Sequence, residues 1–211
     1  SDFFHTFFGG GGEPAAGSGG RRGRSTKPRR GEDVEALAEL TLEEAFLGTT
    51  RRVSLPRGGR EHTVEVRIPA GVKDGARVRA TGEGASGPSG GKAGDLYLSV
   101  KIGPHPRFER RGQDLHTRVA VPVTTAVLGG EIGVPTMSGS TLRLKIHEMT
   151  AAGRVFRLRG HGMPTVGKPD ERGDLYATVD VQIPAALTPE ERTHYEALRA
   201  LADARAEGRT A

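Results

Sequence analysis

Seven histidines, His5, His62, His105, His116, His147, His161 and His194, are the side chains here that titrate near neutral pH. No two of them stand at the i, i+3 or i, i+4 spacing that would grip one metal ion from a helix. A zinc centre is therefore not expected, and the absence of cysteine removes disulfides and thiolate ligands altogether. Gly91-Lys92 looks like the end of a phosphate-binding loop, but Ser86 stands where the first glycine belongs and Ala93 where a magnesium-binding hydroxyl is needed. Gly160-His161-Gly162 lacks the strand and helix of a dinucleotide site, and its counterpart Gly82-Glu83-Gly84 marks both as repeated turns. No ordering of Ser, His and Asp assembles a nucleophile, a base and an oxyanion site. The sequence predicts no catalysis, no metal and no cofactor.

What chemistry remains is electrostatic. The chain carries a net charge of +5, and the excess is local: Arg21, Arg22, Arg24, Lys27, Arg29 and Arg30 stand together with no acid among them. Phosphate attracts such a cluster without base-specific contacts, so these six are candidate contacts for nonspecific or curved DNA, with a solvated basic linker as the plainer reading. Residues 1–30 also hold Phe3, Phe4, Phe7 and Phe8 and the run Gly9 to Gly12. Such a segment offers too little contiguous apolar surface to offset its ordering entropy, and a disordered Gly/Phe- and Arg-rich linker is expected. An opening of this kind suggests a fragment of a longer protein. No apolar run approaches the roughly 20 residues of a membrane-spanning helix and no signal peptide opens the chain; a cytoplasmic protein without membrane contact is expected.

Behind the linker the chain repeats itself. Gly31, Asp33, Ala45, Leu47, Gly48 and Val53 return 81 positions later as Gly112, Asp114, Ala126, Leu128, Gly129 and Val134. Ile68, Gly75, Arg79, Gly82 and Gly84 return 78 positions later as Ile146, Gly153, Arg157, Gly160 and Gly162, and Gly94-Asp95-Leu96-Tyr97 returns 79 later as Gly173-Asp174-Leu175-Tyr176. The changes of offset fall in loops, where few buried hydrogen bonds depend on length. Within the first copy, Val34, Ala36, Ala38 and Leu40 alternate with polar residues, as do Val64, Val66 and Ile68, and Leu96, Leu98, Val100 and Ile102. Period two means half-buried strands. Thr41 to Leu47 reads as a short helix with a Thr41/Glu44 capping box and Gly48 as its stop; Thr124 to Leu128 is its counterpart. Several short alternating strands must bury their apolar faces against each other, which predicts a mainly β protein of two tandem homologous small β-sandwich domains. The expected boundaries are 31–111 and 112–186, followed by a helix over 187–211 that Thr188 and Pro189 begin. Tyr195, Leu198, Leu201 and Ala202 form one narrow apolar stripe on that helix, suited either to packing back on the second domain or to pairing with a second copy.

This order of parts resembles the C-terminal region of the DnaJ co-chaperone family. The resemblance rests on Leu42-Glu43-Glu44-Ala45-Phe46-Leu47-Gly48, Ile68-Pro69-Ala70-Gly71-Val72, Gly94-Asp95-Leu96-Tyr97, His105-Pro106-Arg107-Phe108 and Ala126-Val127-Leu128-Gly129-Gly130-Glu131-Ile132. Zinc-binding members carry four Cys-x-x-Cys motifs in the first unit; this cysteine-free chain looks like the zinc-less class, which includes the curved-DNA-binding relative CbpA. The His-Pro-Asp tripeptide of the J-domain is missing, and stimulation of a DnaK-type ATPase by the usual route is not expected. The resemblance implies capture of unfolded client polypeptides for a DnaK-type chaperone and its exchange factor GrpE, and a homodimer formed through the terminal helix. It places the client groove between the first strand and the strand after the short helix, where Ala36, Ala38, Val53 and Leu55 stand. A client there would add a strand to a sheet edge beside apolar side chains, and the two alanines make the groove shallow.

Overall fold

The computed structural model describes residues 28–57 and 60–208. The expectations for most of the linker, including Arg21, Arg22, Arg24 and Lys27, fall outside the described residues.

The first unit opens with β1 (Val34–Leu40), whose exposure alternates as its sequence does. A short helix, α1 (Leu42–Leu47), follows. Thr41 accepts a hydrogen bond from the Glu44 amide while the Glu44 carboxylate accepts one from the Thr41 amide, so two otherwise orphaned donors are satisfied. The helix buries Leu42, Ala45 and Phe46, and Gly48 leaves it at a φ of 78°. β2 (Thr49–Arg57) and β3 (Arg60–Ile68) then form a two-stranded hairpin. β4 (Arg77–Ala80) runs antiparallel to β5 (Leu96–Ile102), whose other side takes β1 in parallel. Leu96, Leu98 and Val100 of this sheet and Val64, Val66 and Ile68 of the hairpin are all buried and form the two apolar layers.

The second unit repeats the plan. β7 (Asp114–Pro122) and β13 (Leu175–Gln182) are the parallel pair, β10 (Val155–Leu158) lies antiparallel beyond β13, and β8 (Gly130–Pro135) with β9 (Thr141–Ile146) makes the hairpin behind α2 (Val123–Leu128). Even single hydrogen bonds are duplicated. Asp33 accepts from the Asp95 amide at 2.7 Å and Asp114 from the Asp174 amide at 2.8 Å. Asp95 and Asp174 in turn each accept from a glycine amide, Gly82 and Gly160, at 2.8 Å. These bonds, reinforced by Arg30 and Arg79 at Asp95 and by Arg157 at Asp174, hold both carboxyls below the usual aspartate range.

Two parts have no forecast in the sequence. β6 (Phe108–Arg111) pairs antiparallel with β7, and a small hairpin of β11 (Pro164–Thr165) and β12 (Lys168–Arg172) is inserted before β13. The repeat assigns Phe108 to Arg111 to the end of the first unit, whereas as a strand they pair with β7 of the second. The chain then leaves through α3 (Pro189–Glu207), which Thr188 and Glu191 cap reciprocally and on which no residue is buried.

Candidate functional site

Which edge of β1 is free follows from its hydrogen bonds. The Val34 amide donates to Asp95 and the Leu40 carbonyl accepts from Gly103, so the even-numbered residues turn their backbone groups toward β5. Glu35, Leu37 and Glu39 therefore point theirs the other way. Among the described residues no strand pairs with that outer edge. Its last carbonyl, that of Glu39, accepts from Arg51 of β2 at 2.8 Å, and the same guanidinium nitrogen meets the Glu44 carboxylate at 2.8 Å. Arg51 thus ties one end of the edge to β2 and α1 and leaves the backbone groups of Glu35 and Leu37 without a neighbouring strand.

The four residues the sequence singles out stand on β1 itself and on β2, the strand that Arg51 ties to this edge. Val53 and Leu55 lie on the same side of β2 as Arg51, half-buried and packed against the core, and Ala36 is half-buried likewise. Ala38 is 5% exposed and belongs to the core proper. Of the four residues proposed from sequence, three retain accessible apolar surface and Ala38 does not. Sequence reasoning passed over Leu37, which is 61% exposed on the opposite face of β1. Glu35 on the same face is paired with Arg77, whose guanidinium lies 4.6 Å over the Tyr97 ring, so polar groups brace the solvent face beside Leu37.

The second unit shows the same place filled. Opposite Thr117, the repeat partner of Ala36, sits Phe108 of β6, which is 4% exposed. Val134, the partner of Val53, is fully buried, and Thr136 is buried with its hydroxyl bonded to Ser138 and Ser140.

A second apolar feature lies at the chain end. α3 and α2 enclose a cleft of about 620 Å³ lined by Val127, Leu128, Ile183, Tyr195 and Leu198 among others. Tyr195 is half-buried in it, whereas Leu198 and Leu201 stay 61% and 58% exposed and Ala202 is exposed too. The predicted stripe therefore turns partly onto the second unit and partly outward. Of the basic cluster, Arg29 is exposed, and Arg30 is engaged at home by Asp33 at 3.1 Å and Asp95 at 2.9 Å. No group of three or more His, Cys, Asp or Glu side chains is gathered to hold a metal among the described residues, nor is any described helix long and apolar enough to cross a membrane.

Comparison with known proteins gives one consistent result. Residues 34–184 match the model of the DnaJ C terminal domain. A chaperone protein DnaJ of Methylorubrum extorquens (strain PA1) is 35% identical over 259 residues, covering 91% of this chain and 67% of the relative. The chaperone protein DnaJ of Bartonella quintana (strain Toulouse) is 33% identical over 257 residues, with 91% and 66% covered. That of Leptospira biflexa serovar Patoc (strain Patoc 1 / Ames) reaches 44% over 133 residues, 63% of this chain and 35% of the relative. The chain thus spans about two thirds of the length of the first two relatives. Their aligned stretches exceed its 211 residues, so they hold segments for which it has no residues.

Proposed function

From the premise that this chain belongs to the DnaJ C-terminal domain family, a family of chaperones, we propose that its first unit captures unfolded polypeptide as an added strand. The observation that carries this reading is the outer edge of β1, which no described strand pairs and which Arg51 ties to the strand bearing Val53 and Leu55, while β6 pairs with Asp114 to Thr117 on the same edge in the second unit. An unfolded chain exposes unpaired backbone groups and apolar side chains together. An edge strand flanked by a shallow aliphatic surface satisfies both at once. The backbone bonds are blind to sequence and the alanine floor rejects nothing large by shape, so the site suits many clients weakly.

Weak sites gain from being doubled. The outward-facing Leu198 and Leu201, next to the apolar α2–α3 cleft, fit a homodimer in which two grooves engage one client. In that reading the chain prevents aggregation in the cytoplasm, and the longer protein hands clients to a DnaK-type ATPase served by GrpE.

The test is a Val53→Asp/Leu55→Asp double variant. Both side chains are half-buried at the groove, so the variant is expected to keep its circular dichroism and lose most of its ability to suppress aggregation of an unfolded model protein. Full suppression by the folded double variant excludes this groove.

A further inference from the structure

The second unit grips one turn of the first from two sides. On one side is Arg110 of β6. Its Nη1 donates to the Val72 carbonyl at 2.6 Å, its Nη2 to the Gly71 carbonyl at 3.0 Å, and its Nε to Gly112 in its own unit at 2.9 Å. On the other side is the β11–β12 hairpin. Gly71 is buried at a φ of 82°, and a Cβ built on it would lie 2.1 Å from the Pro164 carbonyl oxygen. A glycine is thus required both by the backbone conformation and by the closeness of the hairpin. Arg172, the last residue of the hairpin and the register partner of Pro164, lies 5.2 Å over the Phe46 ring of α1. His105, in the connection between the units, adds a hydrogen bond from Nε2 to Glu43 of α1 at 2.9 Å, while its Nδ1 accepts from the Arg107 and Phe108 amides.

Arg110 is the informative member. Its guanidinium is half-buried, and burial pushes its ionisation down from the ordinary arginine value against a weaker opposing pull from Asp74. Charge withdrawn from water onto neutral carbonyls is tolerated when those carbonyls are held in place, because a donor that loses its partner keeps the full cost of desolvation. Units that swung freely would leave it stranded.

We infer that Arg110 and the β11–β12 hairpin lock the two β units into one rigid body, with Arg110 and Arg172 as positioning residues that fix the angle between the β1 groove and the terminal helix. Joined to the proposed function, the lock sets the span between the two grooves of a dimer, so that a client segment must match it to engage both. The lock itself requires neither client nor dimer.

The cysteine-free chain makes the test direct, since labels attach only where cysteine is introduced. Spin labels at Glu65→Cys and Lys145→Cys, both exposed and one in each unit, report the distance between units by pulsed dipolar spectroscopy. Excess unlabelled chain keeps labelled copies apart. A single narrow distance is expected in the parent. That narrow peak is lost in Arg110→Met, which keeps the aliphatic stem and removes three donors, and it broadens in Arg172→Ala. Amide spectra establish that both units remain folded, and the hairpin variant serves if the Arg110 variant does not fold. A broad parent distribution, or an unchanged narrow distance in the folded Arg110→Met/Arg172→Ala double variant, overturns the lock. Client capture is read separately by aggregation suppression, so a rigid body that captures nothing defeats the proposed function and leaves the lock standing.

Discussion

β1 and β7 come from one repeat and hold the same place in their sheets, each parallel to the long strand of its unit. They differ in what lies on the other side. β7 carries β6 along Asp114 to Thr117, with Phe108 sunk into the core, whereas β1 carries no strand on its outer edge among the described residues. The hairpins follow suit: Val134 and Thr136 are buried where Val53 and Leu55 are half-exposed. An open edge with an apolar flank is an association hazard unless something is meant to occupy it. The second unit covers the start of its edge with four residues, which is why the first is the better candidate for binding another chain.

The most severe way to break this contrast is Phe108→Ala. Truncating a buried phenylalanine costs about 3–5 kcal/mol, and here it should also release β6, so that the β7 amides facing β6 exchange with solvent. Urea unfolding with hydrogen exchange reads both effects; a small loss with β7 still protected would mean that Phe108 does not hold the edge closed. Next comes a matched pair. Val134→Ala should cost about 2 kcal/mol and Val53→Ala about half of that, because the first removes buried and the second half-exposed apolar surface. Equal losses would show that the two hairpins are packed alike after all. Smaller again is the helix pair. Thr41→Ala should cost about 1 kcal/mol, while Pro122→Ala should change little, since Pro122 makes no side-chain capping bond at the start of α2.

The mildest test appears only in acid and asks where the units agree. Asp95 and Asp174 are both held below the ordinary aspartate value, first by the glycine amides and then by arginine. Above that value, about 3.9, both are ionised folded or unfolded and their stabilisation is fully present. As pH falls below it the unfolded chain binds protons that the folded chain resists, and the stabilisation is lost on approach to the folded values. Thermal melts should therefore drop steeply below about pH 4, and an Asp95→Asn/Asp174→Asn double variant should show a shallower acid slope. An unchanged slope would assign the acid loss to other carboxylates.

Much of this is written locally. Thr41 and Glu44 announce α1, Thr188 and Glu191 announce α3, and the alternation from Leu96 to Ile102 marks β5 to the residue. β6 escapes because Pro104 and Pro106 read as a break and four residues are too few for alternation to stand out, although Phe108 and Arg110 do alternate with Glu109 and Arg111. Of the groove, Ala36, Val53 and Leu55 are legible as apolar positions. That Ala38 is sealed in the core and Val53 is not cannot be read from period two, which gives the same pattern for a covered and an uncovered face.

The sequence by itself determined the elements, their duplication and their caps, since each depends on residues a few positions apart or on a register copied whole. Only the tertiary structure decided which strand would cover β7, that nothing described would cover β1, and that Arg110 would reach across to Gly71 and Val72. Strand pairing and unit contacts join residues far apart in the chain, and their energies are set by what is laid beside what, so no local period carries them.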